Sequence, residues 1–195
     1  NGDGFDDLII GARFGDPGGV SNTGESYVVF GKSGGFASAI DLSTLDGTTG
    51  FRLDGIDASD NSGRSVSSAG DVNGDGFDDL IIGAPYASPG GVSRAGESYV
   101  VFGKSGGFAS AIDLSTLDGT NGFRLDGIDA NDWSGFSVSS AGDVNGDGFD
   151  DIIIGTRGSG ESYVVFGKSR GFTAAIDLSA LNGTNGFRLD RSGQL

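Results

Sequence analysis

The sequence predicts an all-β fold built from repeated blades of four short antiparallel strands, on three observations. Glycine supplies 39 of 195 residues and proline only 3, a composition that favours turns over long helices. Of 27 acidic residues only Glu25, Glu97 and Glu161 are glutamates, and aspartate in such excess belongs to turns and ion-binding loops. The chain also repeats itself. Displaced by 72 residues, positions 1–72 match 73–144 at 62 of 72 places; the differences are at 13–16, 22, 23, 49, 59, 61 and 64. A third copy begins at Asn145, holds register to Gly155 and drops eight residues before Glu161. A period of this length denotes a solenoid, propeller or array in which each unit buries its faces against its neighbours.

Within the middle repeat four strands are legible. Residues 64–70 (RSVSSAG) alternate weakly with small side chains; 80–84 (LIIGA) form a short apolar run; 97–103 (ESYVVFG) are β-branched and aromatic; 123–128 (FRLDGI) alternate apolar and polar. The long connection 104–122 contains Ile112-Asp113-Leu114-Ser115-Thr116-Leu117, which suits one helical turn before Asp118-Gly119. A first strand rich in Ser, Ala and Gly fits the crowded axis of a β-propeller. Residues 1–195 therefore read as a single array of about three blades, divided as 1–72, 73–144 and 145–195, the first blade lacking its first strand. The deleted segment corresponds to most of 85–95, read as a surface connection that carries little packing. Tyr99 and Phe102 are expected in the core between blades, and Arg52, Arg124 and Arg188 to pair with nearby aspartates on an exposed face.

Between the first two strands lies Asp71-Val72-Asn73-Gly74-Asp75-Gly76-Phe77-Asp78-Asp79. Oxygen side chains at positions 1, 3, 5 and 9, with the Phe77 carbonyl at 7, converge in a tight loop, and hard oxygen donors in this number suit Ca²⁺ better than Mg²⁺. The third copy supplies Asp143, Asn145, Asp147, Phe149 and Asp151; the first supplies Asn1, Asp3, Phe5 and Asp7, one donor short. A helix-flanked calcium hand needs an acid at position 12, where this chain has Ile82, so the loop opens a strand. The same nine residues also satisfy a metal-free Gly/Asp turn closed by Asx hydrogen bonds.

Other chemistry is narrowed by what the sequence omits. It has no His and no Cys, which removes nucleophilic triads, imidazole catalysis, structural zinc and disulfides. A net charge of −15 repels nucleic acid and anionic lipid, and no apolar run approaches a membrane span. No catalytic residues are assigned and no enzyme is expected; Asp78 and Asp150 read as exposed or loop-capping groups rather than paired acids. Trp133, which faces Asn61 in the aligned copy, reads as a loop residue. Asn182-Gly183-Thr184 matches a glycosylation sequon.

The run Gly135-Phe136-Ser137-Val138-Ser139-Ser140-Ala141-Gly142, the loop Asp143-Val144-Asn145-Gly146-Asp147-Gly148-Phe149-Asp150-Asp151 after it, and Gly83-Ala84-Pro85 in the middle copy resemble the FG-GAP repeat of integrin α-subunit propellers and their bacterial relatives. The resemblance covers nearly the whole chain. It departs where Gly11-Ala12-Arg13 and Gly155-Thr156-Arg157 replace Gly-Ala-Pro and where Arg64 replaces the aromatic. It implies four-stranded blades, calcium in the first-to-second strand loops, and an extracellular or cell-surface setting in adhesion, with a protein or glycan ligand. Two readings stay open: a calcium-stabilised binding module of a larger secreted or surface protein, or a structural subunit of a filament, sheath or surface layer that associates with further copies of itself. The part-ring is expected either to belong to a longer chain or to be completed by other copies.

Overall fold

The computed structural model describes residues 1–190; the departure from the repeat at residues 191–195 lies outside them. Thirteen strands follow one another, with 3₁₀ turns and no α-helix among the described residues: β1 (Leu8–Ala12), β2 (Glu25–Val29), β3 (Gly50–Asp54), β4 (Ser65–Gly70), β5 (Asp79–Ala84), β6 (Glu97–Val101), β7 (Ala111–Asp113), β8 (Gly122–Asp126), β9 (Ser137–Gly142), β10 (Asp151–Gly155), β11 (Ser162–Val165), β12 (Ala175–Asp177) and β13 (Gly186–Leu189). They form three sheets, ordered β1-β2-β3-β7, β4-β5-β6-β8-β12 and β9-β10-β11-β13. Neighbouring strands in each sheet pair antiparallel, for example Ile82 opposite Tyr99 and Tyr99 opposite Arg124, except where β7 and β12 join parallel to β3 and β8. The architecture is a partial β-propeller whose ring the described residues do not close.

The four strands of the middle repeat fall within two residues of their sequence bounds. Their alternation serves two interfaces at once, because successive side chains leave a strand on opposite faces. Ile82, Tyr99 and Val101 face the first blade and pack with Val28, Phe51 and Leu53. Ile81, Val100, Phe123 and Leu125 face the third and pack with Val138, Ile152 and Tyr163. The apolar runs are thus buried on both sides, as in any central layer of a stack, and Tyr99 and Phe102 are in the core as expected.

A fifth strand was not legible. The segment expected to be one helical turn is a 3₁₀ turn, Leu114–Thr116, capped by the Asp113 carboxylate on Ser115 N, but it is preceded by β7. That strand leaves its own blade and pairs parallel with β3 of the preceding one, Ile112 opposite Leu53. β12 does the same to β8, with Ile176 opposite Leu125. Each added strand brings a phenylalanine: Phe108 stacks on Phe51, and Phe172 on Phe123.

The loop at 85–95 corrects the expectation that it packs little. Ala87 and Ala95 are fully buried and Pro85 and Pro89 are buried, because the loop forms a short ladder with the next blade's entry: Asn131 N donates to Ser93 O at 2.9 Å, Trp133 N to Arg94 O at 3.1 Å and Ser134 N to Ala95 O at 2.9 Å. In the shortened third copy Asp132 takes over, accepting Arg157 N and Gly158 N on its carbonyl and Ser159 N on its carboxylate. Trp133 is half-buried in this loop layer, edge-on to Tyr86 and beneath the Arg157 guanidinium. The outer strands carry the expected ion pairs, Arg52 with Asp54, Arg124 with Asp126 and Arg188 with Asp190. Each arginine also approaches the glutamate of the neighbouring strand, Glu25, Glu97 or Glu161, at 3.5–3.9 Å.

Candidate metal centre

The second and third candidate loops leave the innermost strand through a register shift, at Gly70 opposite Asp79 and at Gly142 opposite Asp151. Gly70, Gly74 and Gly76 have φ of +73°, +73° and +88°, the left-handed region in which a side chain is strained. With the chain so turned, its amides point inward. Asp71 Oδ1 accepts Gly74 N at 2.7 Å and Asp75 N at 3.0 Å, and its Oδ2 accepts Gly76 N at 2.9 Å. Asn73 Oδ1 accepts the same Asp75 N at 2.8 Å, and Asp75 Oδ1 accepts Phe77 N at 3.0 Å. Asp71, Asn73 and Asp75 are therefore drawn into one knot, tied again by Asn73 Nδ2 donating to Asp75 Oδ2 at 3.0 Å.

The loop of Asp143, Asn145, Asp147 and Phe149 repeats every one of these bonds to within about 0.1 Å. The amides, Gly148 N foremost, hold the Asp143 carboxyl below the usual range for an aspartate. The first loop keeps two bonds, Asp3 N to Asn1 Oδ1 and Phe5 N to Asp3 Oδ1, both 3.0 Å.

The ninth position stands apart. Asp79 and Asp151 are fully buried and sit at the foot of the second strand. Asp79 Oδ2 accepts Val72 N at 3.0 Å and Oδ1 accepts Gly103 N at 2.8 Å; Asp151 accepts Val144 N and Gly167 N in the same way. Asp7 accepts Gly31 N at 2.8 Å. These carboxylates pin the loop to the turn after the third strand. Among the described residues, Asp79 and Asp151 have no basic side chain within ion-pair distance. Burial, reinforced by the charges of Asp75 and Asp71, pushes Asp79 up to about 7, and burial raises Asp151 likewise. Among the described residues no three acidic side chains gather closely enough to hold a metal ion as they stand: the knot and the ninth carboxylate are adjacent but separate. The donor set nevertheless fits a hard divalent cation, being all oxygen and including a buried carboxyl group that has no basic partner among the described residues.

Asp150, set aside above as a capping group, has a defined partner in the neighbouring blade. Its Oδ2 accepts Asp71 N at 2.9 Å, and its own N–H donates to Asp71 O. The Phe149 ring covers Gly74, where an added Cβ would lie 2.2 Å from a ring carbon, and Phe77 covers Gly2 likewise. Candidate loops in successive blades thus brace one another. Only the recurrence of aspartate at position 8 hinted at this, since the partner lies 79 residues away.

The FG-GAP repeat model matches residues 1–29, 62–101 and 134–168, more than half of the chain. The chain belongs to the FG-GAP repeat family. Its relatives include integrin alpha-5 of Xenopus laevis, 31% identical over 172 residues, which cover 86% of this chain and 15% of that protein. Integrin alpha pat-2 of Caenorhabditis elegans is 36% identical over 106 residues, covering 54% and 8%. A phosphatidylinositol-glycan-specific phospholipase D of Dictyostelium discoideum is 33% identical over 165 residues, covering 80% and 17%. The chain spans less than a fifth of the length of each. The FG-GAP matches contain all three candidate loops, and no helix among the described residues is long and apolar enough to cross a membrane.

Proposed function

We propose that this FG-GAP array is a calcium-stabilised, extracellular β-propeller module of a larger surface or secreted protein, and that it serves adhesion by binding a protein or glycan ligand. The observation that carries the calcium assignment is the buried, unpaired carboxylate of Asp79 and Asp151 beside an all-oxygen loop. Asp71, Asn73, Asp75, the Phe77 carbonyl and Asp79 would hold one ion, and Asp143, Asn145, Asp147, the Phe149 carbonyl and Asp151 a second. Asn1, Asp3, Phe5 and Asp7 form a shorter set in the first blade. A bound Ca²⁺ supplies two positive charges to a cluster whose members otherwise repel one another, so its binding energy becomes folding energy.

The protein's own part is positional. The Gly74, Asp75 and Gly76 amides orient the donors of the second loop, the Gly103 amide anchors Asp79, and Asp150 locks Asp71 to the following blade. Calcium would thereby stiffen the face where successive loops meet. Extracellular calcium modules bind at ~10⁻⁴–10⁻³ M, a range that extracellular fluids reach and cytosol does not. The adhesion assignment follows the integrin relatives; no reaction is assigned to this segment, although a phospholipase D is also among its relatives. Calorimetric titration of chelator-stripped protein is expected to give two or more equivalents of calcium. Absence of binding heat together with an unchanged melting temperature at ~10 mM calcium defeats the assignment. Adhesion is tested by cell attachment to a surface coated with the chain, which should be lost on chelation.

A further inference from the structure

The two blade junctions share one backbone plan and differ at places where the first two copies differ. At the first junction Asn61 N donates to Asn22 O at 3.1 Å; at the second Trp133 N donates to Arg94 O at 3.1 Å. All four residues hold positive φ, +53° and +56° for Asn22 and Asn61, +51° and +55° for Arg94 and Trp133. Asparagine enters that region readily, whereas a bulky side chain is strained there. The second junction therefore carries strain that the first avoids, at two residues exchanged between them. Ser88, in place of Asp16, keeps the bond to the loop backbone: Asp16 Oδ1 accepts Asn22 N, and Ser88 Oγ accepts Arg94 N. An acid is lost and a base gained beside Trp133. The first junction forms the same ladder without them, so the fold itself requires neither Arg94 nor Trp133.

Backbone strain that the fold does not require points to a function, and the side chains around Trp133 give it a chemistry. Tyr86 lies edge-on to the Trp133 ring at 6.3 Å, and the Arg157 guanidinium lies 4.9 Å from that ring. Arg64 and Arg157 both approach the Phe136 ring, at 4.0 and 5.3 Å. Arg64 and Phe136 stand just before the innermost strands β4 and β9, at the opposite strand ends from the candidate metal loops. Arg64, Tyr86 and Trp133 are half-buried, and Arg94 is exposed. The chain has 27 acidic residues against 12 basic, and Arg52, Arg124 and Arg188 each have two carboxylates at 3.9 Å or less. Among the described residues Arg64, Arg94 and Arg157 have none within ion-pair distance. Three arginines without a carboxylate partner thus gather at one internal junction.

We propose that this junction binds a protein ligand through an acidic segment, whose carboxylates pair with Arg64 and Arg94 while its chain packs on Trp133 and Tyr86. A guanidinium presents a planar fork that meets a carboxylate at two points. Arginine, tryptophan and tyrosine are also the residues that dominate protein-binding hot spots, which favours a protein over a saccharide. The inference deepens the adhesion reading and rests on it for the kind of ligand, but it does not require calcium. Cell attachment can fail while peptide binding stands, and the reverse, so the two readings are refuted separately.

Titration of the chain with hexaglutamate, followed by the fluorescence of Trp133 and by calorimetry, tests it at ~150 mM salt, where the repulsion of distant acids is screened. Saturable binding is expected, and hexaglutamine should give none. Arg94→Asn and Trp133→Asn install the residues of the first junction, and Arg64→Phe installs that of the third copy. Each should weaken hexaglutamate binding roughly tenfold, the Trp133 variant being read by calorimetry alone. The melting temperature should be unchanged or, for the two asparagine variants, raised. A purely structural role predicts the reverse, a lowered melting temperature with unaltered binding. The proposal is overturned if the wild type ignores hexaglutamate, if it binds hexaglutamine equally, or if the three variants bind as the wild type does. Tighter binding of a galacturonate oligomer than of hexaglutamate overturns the choice of a protein ligand.

Discussion

Replacing Asp75 by alanine removes one donor from the second loop while leaving Asp79 and its two amide anchors in place. At ~10 mM calcium and a dissociation constant of ~10⁻⁴–10⁻³ M, one site stabilises the fold by ~1.4–2.7 kcal/mol through mass action. A chain of this length gains roughly 2–4 °C in melting temperature per kcal/mol, so two sites shift it by ~6–20 °C. Asp75→Ala should remove about half of that shift, and Asp147→Ala the other half. Because the loops lie in different blades, the double variant should retain almost none. Without calcium the cost is small: Asp75 loses its bonds to Phe77 N and Asn73 Nδ2 in an exposed loop, while Asp79 is relieved of a like charge. Differential scanning calorimetry, with and without chelator, separates the two effects. Trp133, the single tryptophan, supplies an independent fluorescence signal from the layer it shares with Tyr86 and Arg157. If both variants keep the full calcium shift, the assignment of these loops is wrong.

Three further outcomes are expected. Leu125→Ala opens a cavity between the second and third blades, where Leu125 is fully buried, and should cost ~2–5 kcal/mol in urea unfolding. A loss within experimental error would mean that this interface is loose. Gly74→Ala and Gly146→Ala both force alanine into positive φ, but only the former meets a neighbour, the Phe149 ring at 2.2 Å; Gly74→Ala should therefore be the more damaging by ~1–3 kcal/mol, and equal losses would refute the bracing of one loop by the next. Burial, together with the Glu97 charge, pushes Asp60 up to about 7. The unfolded chain thus releases this proton near pH 4 and the folded one near 7, so stability falls as pH rises across that window. Asp60→Asn should flatten the fall and add on the order of 2–4 kcal/mol above pH 7, as read from melting curves at fixed calcium; an unaltered pH profile would exclude Asp60 as its source.

Strand positions were legible because their signals are local: β-branched and aromatic runs such as Tyr99-Val100-Val101, bounded by glycine. The turn chemistry of the candidate loops was legible for the same reason, since spacing alone brings Asp71 and Asn73 onto the Asp75 amide and Asp75 onto the Phe77 amide. What escaped depends on partners far along the chain. β7 is three residues long and has strand form only because β3, about sixty residues earlier in the chain, offers an open edge. Ala87 and Ala95 gave no sign of burial because small residues carry little hydrophobic signal on their own. The double anchoring of Asp79 could not be read either, as Gly103 lies 24 residues downstream.

Because alternate side chains of each strand meet opposite neighbours, and the residues that meet are nearly the same at both junctions, a blade carries the matching half of each contact. A 72-residue insertion in register therefore adds a unit whose two faces already fit its surroundings, and a deletion of the same length leaves no mismatched surface behind. Addition or loss of one whole repeat thus preserves the contacts of each junction, whereas the differences between copies, such as Arg64 for Phe136, alter single positions within them.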